Sequence, residues 1–197
     1  MSSWAPGLHY VRSAAVTLAC AALLLLAGCA SDARFLWEEY TNAGLGAYRA
    51  GRYGRAEMFL TRAAQKAEEL GPVELGRSLN NLGELNRRRG NAAEAEQLFQ
   101  RALTVKQTGL GAEHPSVATT LNNLAQIYVD QGRDADAAGA LERSLRIQEK
   151  VLDPEHPVLR RTLTLLAEVY RHLGRDDDAF ILEVRTRMLR DATPPSR

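Results

Sequence analysis

Cysteine, histidine, asparagine and arginine are the side chains in this sequence that could do specific chemistry. Cys20 and Cys29 are the two thiols. Glu113-His114-Pro115 and Glu155-His156-Pro157 each set an imidazole beside a carboxylate, 42 residues apart. A metal site needs ligands that converge, as two histidines at i and i+4 of one helix do. The 42-residue step separates these rings, so the expectation is a loop that starts the next helix, with no metal. Asp176-Asp177-Asp178 lacks the alternating acids and the glycine of a calcium loop. It suits a helix N-terminus, where acids complement the dipole, as Arg87-Arg88-Arg89 suits a C-terminus. The sequence has no Gly-x-Ser-x-Gly, no phosphate loop and no catalytic dyad. Neither an enzyme nor a cofactor is expected. The amides of Asn80-Asn81 and Asn122-Asn123 remain, and each offers both a donor and an acceptor.

The elements that must position these groups recur. Leu82, Leu124 and Leu166 are 42 apart, as are Gly90, Gly132 and Gly174. Such a period means stacked supersecondary units, none able to bury its apolar face alone. Leu121, Leu124, Ala125 and Tyr128 fall at i, i+3, i+4 and i+7, one face of a helix. Gly132 suits the C′ position that ends it. Ala137, Leu141, Ser144, Leu145 and Gln148 carry a second helix, and Pro115 and Pro157 suit the first turn of the helices they open. The unit is helix, turn, helix, loop.

Leu-Ala-x2-Tyr, then glycine, alanine, a large apolar residue and a small one resembles the tetratricopeptide repeat. The 42-residue step, the Leu-Asn-Asn-Leu start and the Glu-His-Pro loop are similar to its kinesin-light-chain subtype. HEAT and armadillo repeats share the period but do not explain these positions together. Small residues at Gly83, Ala125 and Ala167, and at Ala56, Ala95, Ala137 and Ala179, would let paired helices approach. The fold implied is all-α: a solenoid over 35–190, with four antiparallel helix pairs in a right-handed superhelix. Its repeats fall at 38–70, 73–110, 115–152 and 157–190. The first is degenerate, its loop at Gly71-Pro72 shorter by three, with Phe35, Leu36 and Trp37 packing as its opening. In the second, Asn86 replaces the tyrosine. In the fourth, Glu183 and Thr186 replace packing residues, as a terminal cap requires. Residues 191–197 read as a disordered tail.

The resemblance also implies a site. Peptide-binding members use the concave side of the first helices, at positions that match Asn42, Asn81 and Asn123. Leu165 ends that ladder in the fourth repeat. Arg77, Asn80, Glu84, Arg88, Asn122, Gln126 and Arg161 lie on or near the same face. Arg77 and Arg161 suit bidentate pairing with carboxylates, while Glu84 and Asp130 argue against a purely anion-reading surface.

Residues 1–28 are of another kind. Arg12 is the one charged residue before Asp32, if His9 is neutral. The apolar run from Ser13 to Ala27 reads as the core of a secretory signal. It ends in Leu26-Ala27-Gly28-Cys29, which resembles the lipobox of bacterial lipoproteins. That resemblance implies cleavage before Cys29, acylation of Cys29, and a short tether over 29–34. Because Ala30 rather than aspartate follows, the implied destination is the outer membrane, facing the periplasm; the alternative is the periplasmic side of the inner membrane. Loss of Arg12 takes the 25 basic residues to 24, against 24 acidic. A neutral chain argues against nucleic acid as partner. No small-molecule substrate is expected. The partner expected is a protein or peptide of the cell envelope, with the membrane reached through acyl chains on Cys29. The other reading is a self-associating structural subunit.

Overall fold

The computed structural model describes residues 32–154 and 156–192. The signal segment, Cys29, Glu155 and residues 193–197 lie outside the described residues. Eight helices follow one another, with no strand among the described residues. They are α1 (32–49), α2 (Tyr53–Leu70), α3 (Pro72–Arg88), α4 (Ala92–Leu110), α5 (Pro115–Asp130), α6 (Asp134–Val151), α7 (Pro157–His172) and α8 (Asp176–Ala192). Each of α3 to α7 packs on its chain neighbours, and α3 also touches α5. Odd-numbered helices are thus the first helices of stacked pairs. Among the described residues, no helix is long and apolar enough to cross a membrane.

The punctuation works as the residue types require. Gly132 has φ 71, a left-handed conformation that glycine adopts without a Cβ clash. It lets the Arg133 N–H donate to the Tyr128 carbonyl at 2.8 Å, and the Gly132 N–H to Val129 at 3.0 Å. These are the two bonds of a Schellman cap. Gly51, Gly90 and Gly174 close the other three first helices in the same way. His114 and His156 are helix caps: each Nδ1 accepts from the N–H two residues on, at 3.2 Å, with proline next to it in the first turn. Each ring thus uses its Nδ1 to start α5 or α7.

The small residues are where the helices touch. Ala56, Ala95, Ala137 and Ala179 are each 0% exposed. A Cβ added at Gly83 would lie 2.6 Å from the Phe99 ring, so only glycine seats that buried phenylalanine. At the C-terminal end, Glu183 pairs with Arg171 at 2.7 Å, and the Thr186 hydroxyl turns back to the Leu182 carbonyl at 2.8 Å. Both positions are polar where inner repeats bury Phe99, Leu141, Ala102 and Ser144.

Both boundaries of the solenoid differ from expectation. Residues 32–34, assigned to the tether, are helical, because Ala33 is buried and Arg34 reaches Glu74 at 2.8 Å. Residues 191–192, assigned to the tail, complete α8. Of the opening trio, Trp37 is buried and its Nε1 donates to Ser78 at 2.8 Å. Phe35 is 66% exposed and does not pack as part of that opening.

Candidate partner-binding groove

The first helices α3, α5 and α7 lie side by side and line a cleft of about 710 Å³. Arg77, Asn80, Asn81, Glu84 and Arg88 come from α3, Asn122, Asn123 and Gln126 from α5, and Arg161 from α7. Nine of the ten partner-binding residues expected from the sequence therefore share one concavity. Asn42 is not among its lining residues and stands exposed on α1.

Each Asn-Asn pair divides its labour. Asn80 Nδ2 donates to Thr120 Oγ1 at 3.1 Å, and Asn122 Nδ2 to Thr162 Oγ1 at 2.8 Å. These amides tie each first helix to the next. Asn81 and Asn123, one residue on, are half-buried in the cleft and bond to no described residue. Their donors and acceptors are open.

The charged groups divide as well. Glu84 accepts from Arg87 at 2.8 and 3.0 Å, from Arg88 at 3.1 Å and from the Tyr48 hydroxyl at 3.1 Å. Arg87 also reaches Asp130 at 3.6 Å. Burial works to raise the Glu84 carboxyl, but the bonds from Arg87, Tyr48 and Arg88 win and hold it below its ordinary range. This end of the cleft neutralises itself. Gln126 is engaged too, donating to Asp130 at 3.2 Å. Arg77 lies 5.5 Å from the Trp37 ring, and neither Arg77 nor Arg161 has a carboxylate partner among the described residues. The opposite end is therefore cationic and unpaired.

Lys106, on α4, is the site residue that the motifs did not mark. It lines the same cleft while only 4% exposed. Its Nζ donates to Thr120 Oγ1 at 2.8 Å and to the Ser116 carbonyl at 3.2 Å. Burial, with no carboxylate to offset it, pushes its amine down to about 8. Gly76 makes the room: a Cβ there would lie 2.7 Å from the lysine stem. The signal was present in the sequence. Ala95, Phe99, Ala102 and Lys106 continue one helical face, and the 42-residue step carries Lys106 to Gln148.

Among the described residues, no three His, Cys, Asp or Glu groups gather as a metal site. The cleft's unengaged groups include hydrogen-bonding amides and fixed cations, which can hold a chain's backbone and acids.

The tetratricopeptide repeat family model matches residues 39–108, 74–150 and 116–186. BtubC (BKLC) from P. vanneervenii is similar in structure, with TM-score 0.74 and 25% identity over 84% of this chain and 68% of that one. A putative kinesin light chain from Podosopora anserina, with nearly identical TPR-like repeats, gives TM-score 0.64 at 24% identity, over 81% of this chain and 77% of that one. The apo form of RapI gives TM-score 0.73 at 19% identity, over 82% of this chain and 44% of that one. The last two likenesses concern the fold alone. No curated protein matches. With overlapping matches running from residue 39 to residue 186, and helix pairs stacked as the repeat requires, the chain belongs to the tetratricopeptide repeat family, all-α solenoids of the protein-interaction scaffold type.

Proposed function

We propose that this protein is a lipid-anchored adaptor of the bacterial cell envelope that holds an extended segment of a protein partner in the α3–α5–α7 cleft. The observation that carries this is the pair of open amides, Asn81 and Asn123, on adjacent first helices of one concavity. An extended peptide leaves its backbone N–H and C=O groups unpaired, and an amide satisfies either without reading sequence. The unpaired Arg77 and Arg161 favour a segment bearing acidic groups on their side. The anchor rests on Leu26-Ala27-Gly28-Cys29 and the apolar run before it. Two or more acyl chains give stable attachment where one is marginal. With Ala30 next, the favoured site is the outer membrane, facing the periplasm.

The test is capture from envelope extracts with the full chain and with its Asn81→Ala/Asn123→Ala variant as parallel baits. A partner retained by the first and lost by the second supports the reading. Equal retention moves the binding surface out of the cleft. Intact mass of membrane-extracted protein tests the anchor separately: a chain beginning at acylated Cys29 is expected, and an unmodified Cys29 overturns it.

A further inference from the structure

The last helix carries a surface that the groove does not explain. Phe180, Ile181 and Met188 are 65%, 63% and 66% exposed, and half-buried Val184 lies between them. At about 100° per residue these four fall within one face of α8. The stripe is particular to this helix. One repeat earlier the same positions are Ala138, Gly139, Glu142 and Arg146; two repeats earlier they are Glu96, Gln97, Gln100 and Thr104. Single exposed apolar residues need no explanation, but a row of them on one helix marks a contact surface.

The charges beside the stripe indicate what covers it. Asp176 stands at the N-terminal end of one edge, and Arg187 at the C-terminal end of the same edge, about three turns away. Both are exposed, and neither has an ion-pair partner among the described residues. A twofold axis perpendicular to α8 sets the helix antiparallel to its copy with matching edges together. Asp176 of each chain then meets Arg187 of the other about an axis between Ile181 and Leu182, so Phe180, Ile181 and Val184 of the two copies meet at the centre and each Met188 lies over the first turn of the other helix. The pattern is self-complementary, as an isologous interface requires.

We infer that α8 is a homodimerisation helix, pairing antiparallel with α8 of a second copy through Phe180, Ile181 and Val184, with Met188 at the rim. This surface is separate from the cleft and does not depend on the proposed function. Two copies joined here would each keep their α3–α5–α7 side.

Sedimentation of the full chain in mild, density-matched detergent tests the inference. A concentration-dependent dimer is expected. Ile181→Glu, which sets a charge in the centre of the stripe, should weaken it at least about a hundredfold. Arg187→Asp should weaken it by about tenfold and Asp176→Arg likewise, while the double exchange Asp176→Arg/Arg187→Asp should restore it. All three positions are exposed, so circular dichroism should stay unchanged. A monomer at every concentration overturns the inference, as does a dimer indifferent to Ile181→Glu. Loss with Ile181→Glu but no restoration by the double exchange overturns the antiparallel pairing. Capture of the groove partner should be the same for all these variants, which keeps the two readings separable.

Discussion

The groove floor has two joints between repeats, and they solve one problem in two ways. At the α4–α5 joint, Lys106, Asn80 and Thr120 form a closed set. Lys106 donates to Thr120 Oγ1 and the Ser116 carbonyl, and both amide atoms of Asn80 meet the Thr120 hydroxyl. At the α6–α7 joint the same positions are Gln148, Asn122 and Thr162. Gln148 Nε2 donates within its own helix to Ser144 Oγ at 3.1 Å, and Asn122 Nδ2 reaches Thr162. Asn122 Oδ1 and Gln148 Oε1 are left buried with no partner. The first joint satisfies its polar atoms but buries a cation without a counter-charge. The second buries no charge and leaves two acceptors unmade. Equivalent positions thus keep the apolar repeat while the polar solution drifts, because the alanines and leucines around them already hold the helices together.

What the joints share should be the costliest thing to break. Ala137→Glu would place an unpaired charge at a fully buried contact, and about 3–5 kcal/mol of stability should be lost. A melting temperature near that of the parent would show that this alanine is not the close contact.

The next effect separates the joints. In Lys106 the folded state disfavours the charged amine, about 8 against an ordinary 10.5. Below pH 8 the folded chain carries the full cost of keeping that buried amine protonated. Between about 8 and 10.5 the unfolded chain binds the extra proton, so this group makes stability rise with pH, and the cost is gone above 10.5. Lys106→Met keeps the stem's volume without the charge. It should stabilise by up to about 3 kcal/mol at pH 7 and remove that slope. Denaturant midpoints of parent and variant from pH 7 to 10 provide the check; parallel curves would mean that the amine is solvated.

Gln148→Leu should do less. It removes one orphaned oxygen, while Ser144 keeps its bond to the Ala118 carbonyl at 2.9 Å. A gain of about 1 kcal/mol is expected, with no change in pH slope. A loss of that size would show that the Gln148–Ser144 bond outweighs the unmet acceptor.

Much of this architecture was legible in the sequence because it rests on local rules. Gly132 and its equivalents end helices through a backbone conformation, and Pro115 and Pro157 start them, independently of tertiary context. The alanine positions followed from the 42-residue step, and the cleft's lining from the family's concave face. What was not legible depends on relative placement. Asn80 and Asn81 are the same residue type, one position apart; which ties helices and which stays open is decided by where Thr120 sits across the joint. Lys106 continues an apolar face from which a charged residue type is normally absent, and Gly76 is what admits it. Phe35 and Trp37 are both aromatic, two positions apart; which of them packs is decided by Ser78 across the helix pair, which receives Trp37 and leaves Phe35 exposed.

The central claim is that Asn81 and Asn123 hold an extended partner segment. The direct measurement is calorimetric titration of the segment recovered in the capture experiment against the parent chain and against Asn81→Ala/Asn123→Ala. Each amide bond contributes roughly 0.5–1.5 kcal/mol net. The double variant should therefore bind about ten- to a hundredfold more weakly, with an unchanged circular dichroism spectrum, since neither side chain belongs to the Leu82/Gly83 or Leu124/Ala125 packing. Unchanged affinity in a folded double variant would contradict the claim and place the partner on another face of the solenoid.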